Sequence, residues 1–134
     1  MAEIVNENLE TIGQIKDRNE FKQYVKDNRY VMVKFSAEWC GPCKRIAPAF
    51  KNYFKSALSF NKDIKLILVD IDKDSEVSNL LRIRSVPTMV TYVNGVLEYS
   101  CNSSAENDVK QYFEKSIVKM NEYNNSTKYF TNVE

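Results

Sequence analysis

A strand-like run passes directly into two closely spaced cysteines and then into a helical pattern, and this junction limits what the 134-residue chain can become. Residues 30–36 are mostly β-branched or aromatic and predict a strand. Residues 40–43 read Cys-Gly-Pro-Cys and form a turn. Apolar residues then recur at helical spacing, at Ile46, Phe50, Tyr53, Ala57 and Leu58. Strand, turn and helix in immediate succession indicate an α/β fold.

The rest of the chain repeats this alternation. Further strands are predicted at residues 11–15, 64–71, 88–93 and 96–101. Capping-box patterns predict that one helix starts near Asp17 and that the last helix starts near Ser103. The last helix is expected to end near residue 121. A short helix is predicted around residues 77–81. Crossover helices require parallel strands, and Asn94-Gly95 predicts an antiparallel hairpin, so we expect a mixed central sheet with helices on both faces.

Length and composition indicate a single domain over residues 1–134. Hydrophobic residues make up 43% and charged residues 28%, which is ordinary for a globular protein and argues against disorder. The predicted elements place the core at about residues 10–121. Residues 124–134 are polar and are expected to form a loose tail.

Charge and hydropathy exclude several classes of partner. A formal net charge of +1 gives no reason to expect nucleic acid or an anionic membrane surface as a partner. No apolar run approaches the roughly 20 residues that span a bilayer. The first eight residues lack the basic and apolar regions of a secretory signal, so we expect a cytoplasmic protein.

The sequence contains no histidine and three cysteines, Cys40, Cys43 and Cys101. A Cys–His catalytic pair is therefore excluded, and three thiols cannot complete a four-ligand zinc site within one chain. We expect no bound metal. A thiol-ligated iron–sulfur cluster that bridges two chains is a remote further reading.

The two closely spaced cysteines are suited to dithiol–disulfide chemistry. Cysteine attacks as the thiolate, and the N–H groups and dipole at a helix N-terminus favour that anion. Two intervening residues place the second thiol about one turn along, able to close a disulfide or to attack a mixed one. Pro42 stiffens the turn. This predicts Cys40 as an exposed nucleophile and Cys43 as the more buried resolving thiol.

The residues around this pair resemble the active-site segment of the thioredoxin family. The likeness is carried by Phe35–Lys44, Ile46–Pro48, Asp70–Asp72, Val86–Thr88 and Asn94-Gly95, and it covers roughly residues 10–121. It implies the thioredoxin fold and a protein-disulfide reductase activity. The two sulfurs would carry the electrons, so no bound cofactor is implied.

The resemblance also implies a docking surface and partners. In the family, the proline matching Pro87 is cis and faces the disulfide, and the backbone at the position of Val86 pairs with an extended substrate peptide. The docking-surface residues that we expect are Trp39, Gly41, Pro42, Val86 and Pro87. The implied partners are disulfide-containing proteins and a thioredoxin-reductase-like enzyme, in the family usually an NADPH-linked flavoenzyme. We expect a monomer.

The sequence departs from the family at two positions near this site. Lys34 stands where the family usually buries an aspartate, and Leu68 where bacterial members often place a lysine. A charged Lys34 would stabilise a thiolate, a neutral one could accept a proton, and one that reaches solvent would do neither. Ser103 replaces a common glycine. It either narrows the substrate groove or caps the last helix.

Two further alternatives stay open. Cys101 ends the last strand, where a structural thiol is expected and a regulatory or dimer-forming thiol is the other reading. The competing function is a protein-interaction module on a thioredoxin scaffold, with weak or no reductase activity. Retention of both cysteines favours the enzyme, while Lys34 and Ser103 lean towards the module.

Overall fold

A mixed β-sheet forms the middle layer of the computed structural model, which describes residues 1–133, with side chains as far as Asn124. Its strands are β1 (Ala2–Val5), β2 (Thr11–Ile15), β3 (Tyr30–Ser36), β4 (Ile64–Asp70), β5 (Thr88–Val93) and β6 (Val96–Cys101). The helices are α1 (Arg18–Asp27), α2 (Gly41–Phe60), α3 (Ser75–Leu80) and α4 (Glu106–Val133).

The strand order across the sheet is β2-β1-β4-β3-β5-β6. Strands β3 and β4 run parallel because α2 crosses between them, and the other neighbouring pairs are antiparallel. At the Asn94-Gly95 turn both residues have positive φ, 52° and 81°, as a tight hairpin requires. The expected mixed sheet with helices on both faces is therefore confirmed.

Alternation along β3 divides the core into two layers. Tyr30 and Met32 pack with residues of α2 and α4, while Val33 and Phe35 pack on the opposite face with residues of α1 and α3. Every residue of β3 except Ser36 is buried. This central strand is therefore held on both faces, and its C-terminal end is a fixed point from which α2 begins.

The core begins earlier than the sequence predicted. Ala2 and Val5 are buried in β1, which lies between β2 and β4. The turn that follows is organised by Asn6, whose side-chain carbonyl accepts the N–H groups of Asn8 and Glu10. Because β1 has only four residues, its periodicity was too short to be recognised, and the predicted start at about residue 10 was wrong.

The last helix continues beyond its predicted end. It was expected to stop near residue 121 and to give way to a loose tail over 124–134, whereas α4 extends to Val133. No glycine or proline follows residue 95, so nothing in the sequence forces a stop. Tyr30 anchors this part of α4, because its hydroxyl lies 2.6 Å from Asn124 Oδ1 and 3.3 Å from the carbonyl oxygen of Met120. Glu134 lies outside the described residues.

Candidate active site

A disulfide bond between Cys40 and Cys43 lies where β3 gives way to α2. Cys40 is the N-cap of the helix, and its sulfur accepts the backbone N–H of Cys43 at 3.1 Å. The two Cα atoms are 5.3 Å apart, one helical turn along the chain. A sulfur at this position is held by an otherwise unsatisfied N–H group and by the positive end of the helix dipole, both of which favour a thiolate.

Both sulfurs are shielded from solvent, contrary to the expectation that Cys40 is exposed. Cys40 is 2% exposed and Cys43 3%. Ala37, Ile71 and Val86 pack around the pair as a small apolar cluster. The sequence could not show this, because Ile71 and Val86 come from distant segments. In the disulfide form the two cysteines therefore differ in position on the helix and not in exposure.

The segment before β5 closes one side of the disulfide. The Val86–Pro87 peptide bond is cis, as the resemblance implied, and the carbonyl oxygen of Val86 lies 3.8 Å from Cys40 Sγ. Hydrogen bonds hold this segment, because Thr88 Oγ1 donates to the Ser85 carbonyl at 2.7 Å and Asn102 Nδ2 donates to Ser85 Oγ at 2.5 Å. The predicted residues Val86 and Pro87 are thus brought to the cysteine pair.

Trp39 presents an aromatic surface beside the disulfide. Its side chain is 68% exposed, while its indole N–H donates to Asp72 Oδ2 at 2.7 Å. A second contact, between Lys73 Nζ and Glu38 Oε1 at 2.6 Å, joins the same two turns. Sequence reasoning did not single out Asp72 for this role, although it follows a strand that ends at the same edge of the sheet as β3. The contact holds the indole in one orientation against the surface.

Gly41 and Pro42, the other predicted docking residues, form the first turn of α2. Gly41 is exposed, and a side chain there would meet only the Arg45 guanidinium, at 3.5 Å. Pro42 lies where a missing N–H costs no helical hydrogen bond. Neither residue therefore places a large side chain on the surface next to Cys40.

Lys34 is buried beneath α2. Its side chain leaves β3 on the same face as Met32, and its Nζ lies 4.8 Å from the centroid of the Phe50 ring. The residue as a whole is only 6% exposed, although its side chain lines a surface cleft. Burial lowers the pKa of the Lys34 ammonium. Lys34 and Cys43 line one cleft of about 240 Å³, so the structure brings this predicted residue to the site.

Two other singled-out residues lie farther along the chain. Cys101 is a half-buried free thiol at the end of β6, and burial followed by the nearby Asp108 carboxylate raises its pKa. The Ser103 hydroxyl accepts the N–H of Ala105 at 3.0 Å and donates to Asp108 at 2.7 Å. These bonds fix the entry into α4, and Glu106 in the first turn of that helix accepts a hydrogen bond from Tyr53.

Within residues 1–133 no helix is both long and apolar enough to cross a membrane. Among the side chains that the structure describes, no group of three or more Cys, Asp or Glu residues is arranged to hold a metal ion.

Comparison with known proteins gives a consistent set of similarities. The family model named Thioredoxin matches residues 13–119. Thioredoxin 1 of Plasmodium falciparum is 38% identical over 75% of this chain and 93% of its own length. Thioredoxin-3 of Dictyostelium discoideum is 36% identical over 81% of this chain and 100% of its own length. A solved structure of Plasmodium falciparum thioredoxin superimposes with a TM-score of 0.66 at 37% identity, covering 75% of this chain and 95% of that one.

Proposed function

Because this chain belongs to the thioredoxin family and is a thiol–disulfide oxidoreductase, we propose that it reduces protein disulfides with Cys40 as nucleophile and Cys43 as resolving thiol. The observation that carries this assignment is the position of Cys40 as N-cap of α2, with the Cys43 N–H directed at its sulfur. The thiolate of Cys40 is stabilised there by a hydrogen bond and by the helix dipole.

The first step joins the substrate covalently to Cys40. The Cys40 thiolate attacks one sulfur of a substrate disulfide, a Cys40–substrate disulfide forms, and the second substrate sulfur leaves as a thiolate that takes a proton from water. The sulfur of Cys40 is shielded in the disulfide form, so we infer that reduction must come first and free it from the Cys43 sulfur.

The second step releases the product. The Cys43 thiolate attacks Cys40 Sγ, the mixed disulfide breaks, and the remaining substrate sulfur leaves as a thiolate. The substrate has gained two electrons and the enzyme has lost two by forming the Cys40–Cys43 bond. The sulfurs of Cys40 and Cys43 supply both electrons, so the reaction requires no bound cofactor.

We propose that the substrate docks as an extended segment across Trp39, Gly41, Pro42, Val86 and Pro87. The carbonyl oxygen of Val86 lies 3.8 Å from Cys40 Sγ, so a peptide that hydrogen-bonds there places its own sulfur beside the nucleophile. The exposed Trp39 ring supplies apolar contact area. The expected partners are disulfide-containing proteins and a thioredoxin-reductase-like enzyme that restores the dithiol. We propose that the protein acts as a monomer in the cytoplasm.

The direct test is the reduction of insulin disulfides with dithiothreitol as electron donor. We expect the wild type to accelerate the reaction, Cys40→Ser to give the uncatalysed rate, and Cys101→Ser to match the wild type. Reduced Cys43→Ser, freed of dithiothreitol before it is mixed with insulin, is expected to accumulate a covalent insulin adduct on Cys40, detected by mass spectrometry. An adduct on Cys101, or equal rates for wild type and Cys40→Ser, would contradict the assignment.

A further inference from the structure

Lys34 is a largely buried cation that forms no ion pair with any described side chain. It is 6% exposed, and within the described side chains its Nζ forms no hydrogen bond and no ion pair. Its polar interaction is with the face of Phe50, 4.8 Å away. A cation–π contact of this kind contributes about 1–2 kcal/mol, less than the several kcal/mol that burying an ammonium costs. The charge therefore lacks a partner while the disulfide is closed.

The two carboxylates that line the cleft with Lys34 make their recorded polar contacts with other residues, and neither forms an ion pair with Lys34. Asp70 Oδ1 accepts the backbone N–H groups of Asp72 at 2.9 Å and Lys73 at 3.3 Å. Glu38 forms its ion pair with Lys73. Lys44 lines the cleft too, but it is exposed and carries the same charge as Lys34. The remaining titratable group in the cleft is Cys43.

We propose that Lys34 is the positioning residue for the second step, in which its ammonium is the counter-charge against which Cys43 ionises once the disulfide has been opened. This inference rests on the proposed roles of Cys40 and Cys43. A thiolate forming on Cys43 gives the buried ammonium the partner that it lacks in the disulfide form, and each charge offsets the other's desolvation.

The reaction is written without any further reagent. Cys43 loses its thiol proton to water, the Lys34 ammonium stabilises the resulting anion, and the anion attacks Cys40 Sγ and expels the substrate sulfur. When the Cys40–Cys43 bond has closed, Lys34 is again unpaired. The same counter-charge stabilises the reduced protein and not the oxidised one, so it makes the couple more oxidising than an uncharged residue would.

The two steps can be timed separately with 5,5′-dithiobis(2-nitrobenzoate), an aromatic disulfide that releases one coloured thiolate in each step. The experiment uses the reduced full-length chain with Cys101→Ser as background. We expect Lys34→Met to leave the first release within about twofold, to slow the second about tenfold at neutral pH, and to raise its pH midpoint by about one unit. Lys44→Met, which removes a cation from the same cleft at its exposed side, is the matched control and should stay within about twofold in both steps.

The outcomes separate this inference from the proposed function. A wild type that shows no first release refutes the proposed function and the inference with it. A normal first release, with a second release in Lys34→Met of unchanged rate and pH midpoint, overturns the inference alone. Lys34→Gln gives a second uncharged variant, so that the comparison stands if methionine disturbs the fold. Equilibration with glutathione should place both variants severalfold further toward the disulfide than the wild type, and equal positions would also overturn the inference.

Discussion

The ammonium of Lys34 lies on the face of the sheet that packs against α2, 4.8 Å from the centre of the Phe50 ring. Its neighbours across the sheet are Leu68 and Met89, neither of which can accept a hydrogen bond from an ammonium effectively. Burying an unpaired charge lowers the free energy of unfolding.

Lys34→Met is therefore expected to stabilise the oxidised protein by about 1–3 kcal/mol at neutral pH. The pKa of Lys34 is lowered in the folded state, so the unfolded chain binds this proton more tightly than the folded one. The free energy of unfolding of the wild type therefore rises as the pH increases towards 10.5, the usual pKa of lysine. The advantage of the variant should shrink over that range. Urea unfolding at pH 7 and pH 10 measures it, and a constant difference would contradict the expectation.

Cys101 is expected to react slowly with thiol reagents. Burial and the Asp108 carboxylate raise its pKa, so less thiolate is present at neutral pH than in a free cysteine. Limited iodoacetamide treatment of the reduced protein should label Cys40 well before Cys101, as read by peptide mass spectrometry. After peroxide, wild type and Cys101→Ser should show the same oligomers on non-reducing gels. Loss of a dimer in the variant would favour the regulatory interpretation.

Trp39 is expected to affect substrate binding more than chemistry. Trp39→Ala removes an exposed aromatic surface beside the disulfide and should raise KM for insulin about fivefold or more, the loss of about 1 kcal/mol of contact energy, with a smaller change in kcat. Phe60→Ala is the matched control, because Phe60 is 74% exposed at the other end of α2, roughly 30 Å away. Equal effects of the two changes would remove Trp39 from the docking surface.

Individual residues were predictable where the chemistry is local. The cysteine pair and its place before a helix follow from residues 30–58 alone. The burial of Cys40 was not predictable, because the shielding side chains Ile71 and Val86 come from other segments. The Trp39–Asp72 hydrogen bond was missed for the same reason, since 33 residues separate its partners and only the parallel register of β3 and β4 brings them together.

At the scale of whole elements, α4 depends on contacts made by its middle and end. Val109, Tyr112 and Met120 are buried against the sheet. Beyond them the Tyr123 ring meets the Tyr30 ring edge to face, with centroids 6.4 Å apart. The Tyr30 hydroxyl also reaches Asn124. These contacts hold α4 against the sheet as far as Asn124, just past its predicted end near residue 121.

Tyr30→Phe is expected to destabilise the protein by about 1 kcal/mol, because it removes the hydroxyl that hydrogen-bonds Asn124 of α4 while the ring is kept. The loss should appear first as faster amide hydrogen exchange around residues 118–124. Tyr99→Phe, a half-buried tyrosine on β6, serves as the control. Unchanged exchange in this part of α4 would show that the hydroxyl does not anchor the helix.

Elements were predictable in proportion to their length and to the strength of their end signals. The Asn94-Gly95 turn and the buried run that became β4 were recognised because each carries its own signal. Strand β1 was missed because four residues are too few to show an alternation of apolar and polar side chains. Its position between β2 and β4 depends on pairing with distant strands, which the local sequence does not show. The end of α4 was missed because no glycine or proline marks it, and the hydrogen bond that holds the helix at Asn124 comes from the distant Tyr30 of β3.

At the scale of the whole molecule, buried tyrosines link the fold to pH. Tyr112 is fully buried between α4 and the sheet, donates to the Val90 carbonyl at 2.8 Å, and accepts a hydrogen bond from Thr91. Tyr92 packs on the opposite face of the sheet, where it meets the Phe21 ring. Burial raises the pKa of Tyr92 to about 12 and that of Tyr112 further still. Both side chains therefore stabilise the fold only while they are protonated.

The free energy of unfolding is expected to fall steeply above pH 10. The unfolded chain releases tyrosine protons near pH 10, whereas the fold retains them, so stability that is complete below pH 10 is lost as pH rises toward about 12. Each such tyrosine contributes a slope of about 1.4 kcal/mol per pH unit. Tyr92→Phe should flatten the fall by that amount in urea titrations between pH 9 and pH 11.5. Parallel profiles for variant and wild type would contradict this.

Trp39 is the single tryptophan of the chain, and it lies next to the bond that opens and closes during turnover. Tryptophan fluorescence therefore comes from this one side chain, and we expect its intensity to change when the neighbouring Cys40–Cys43 bond forms or breaks. Turnover, mixed-adduct lifetimes and partner encounter can be followed in real time on unlabelled protein.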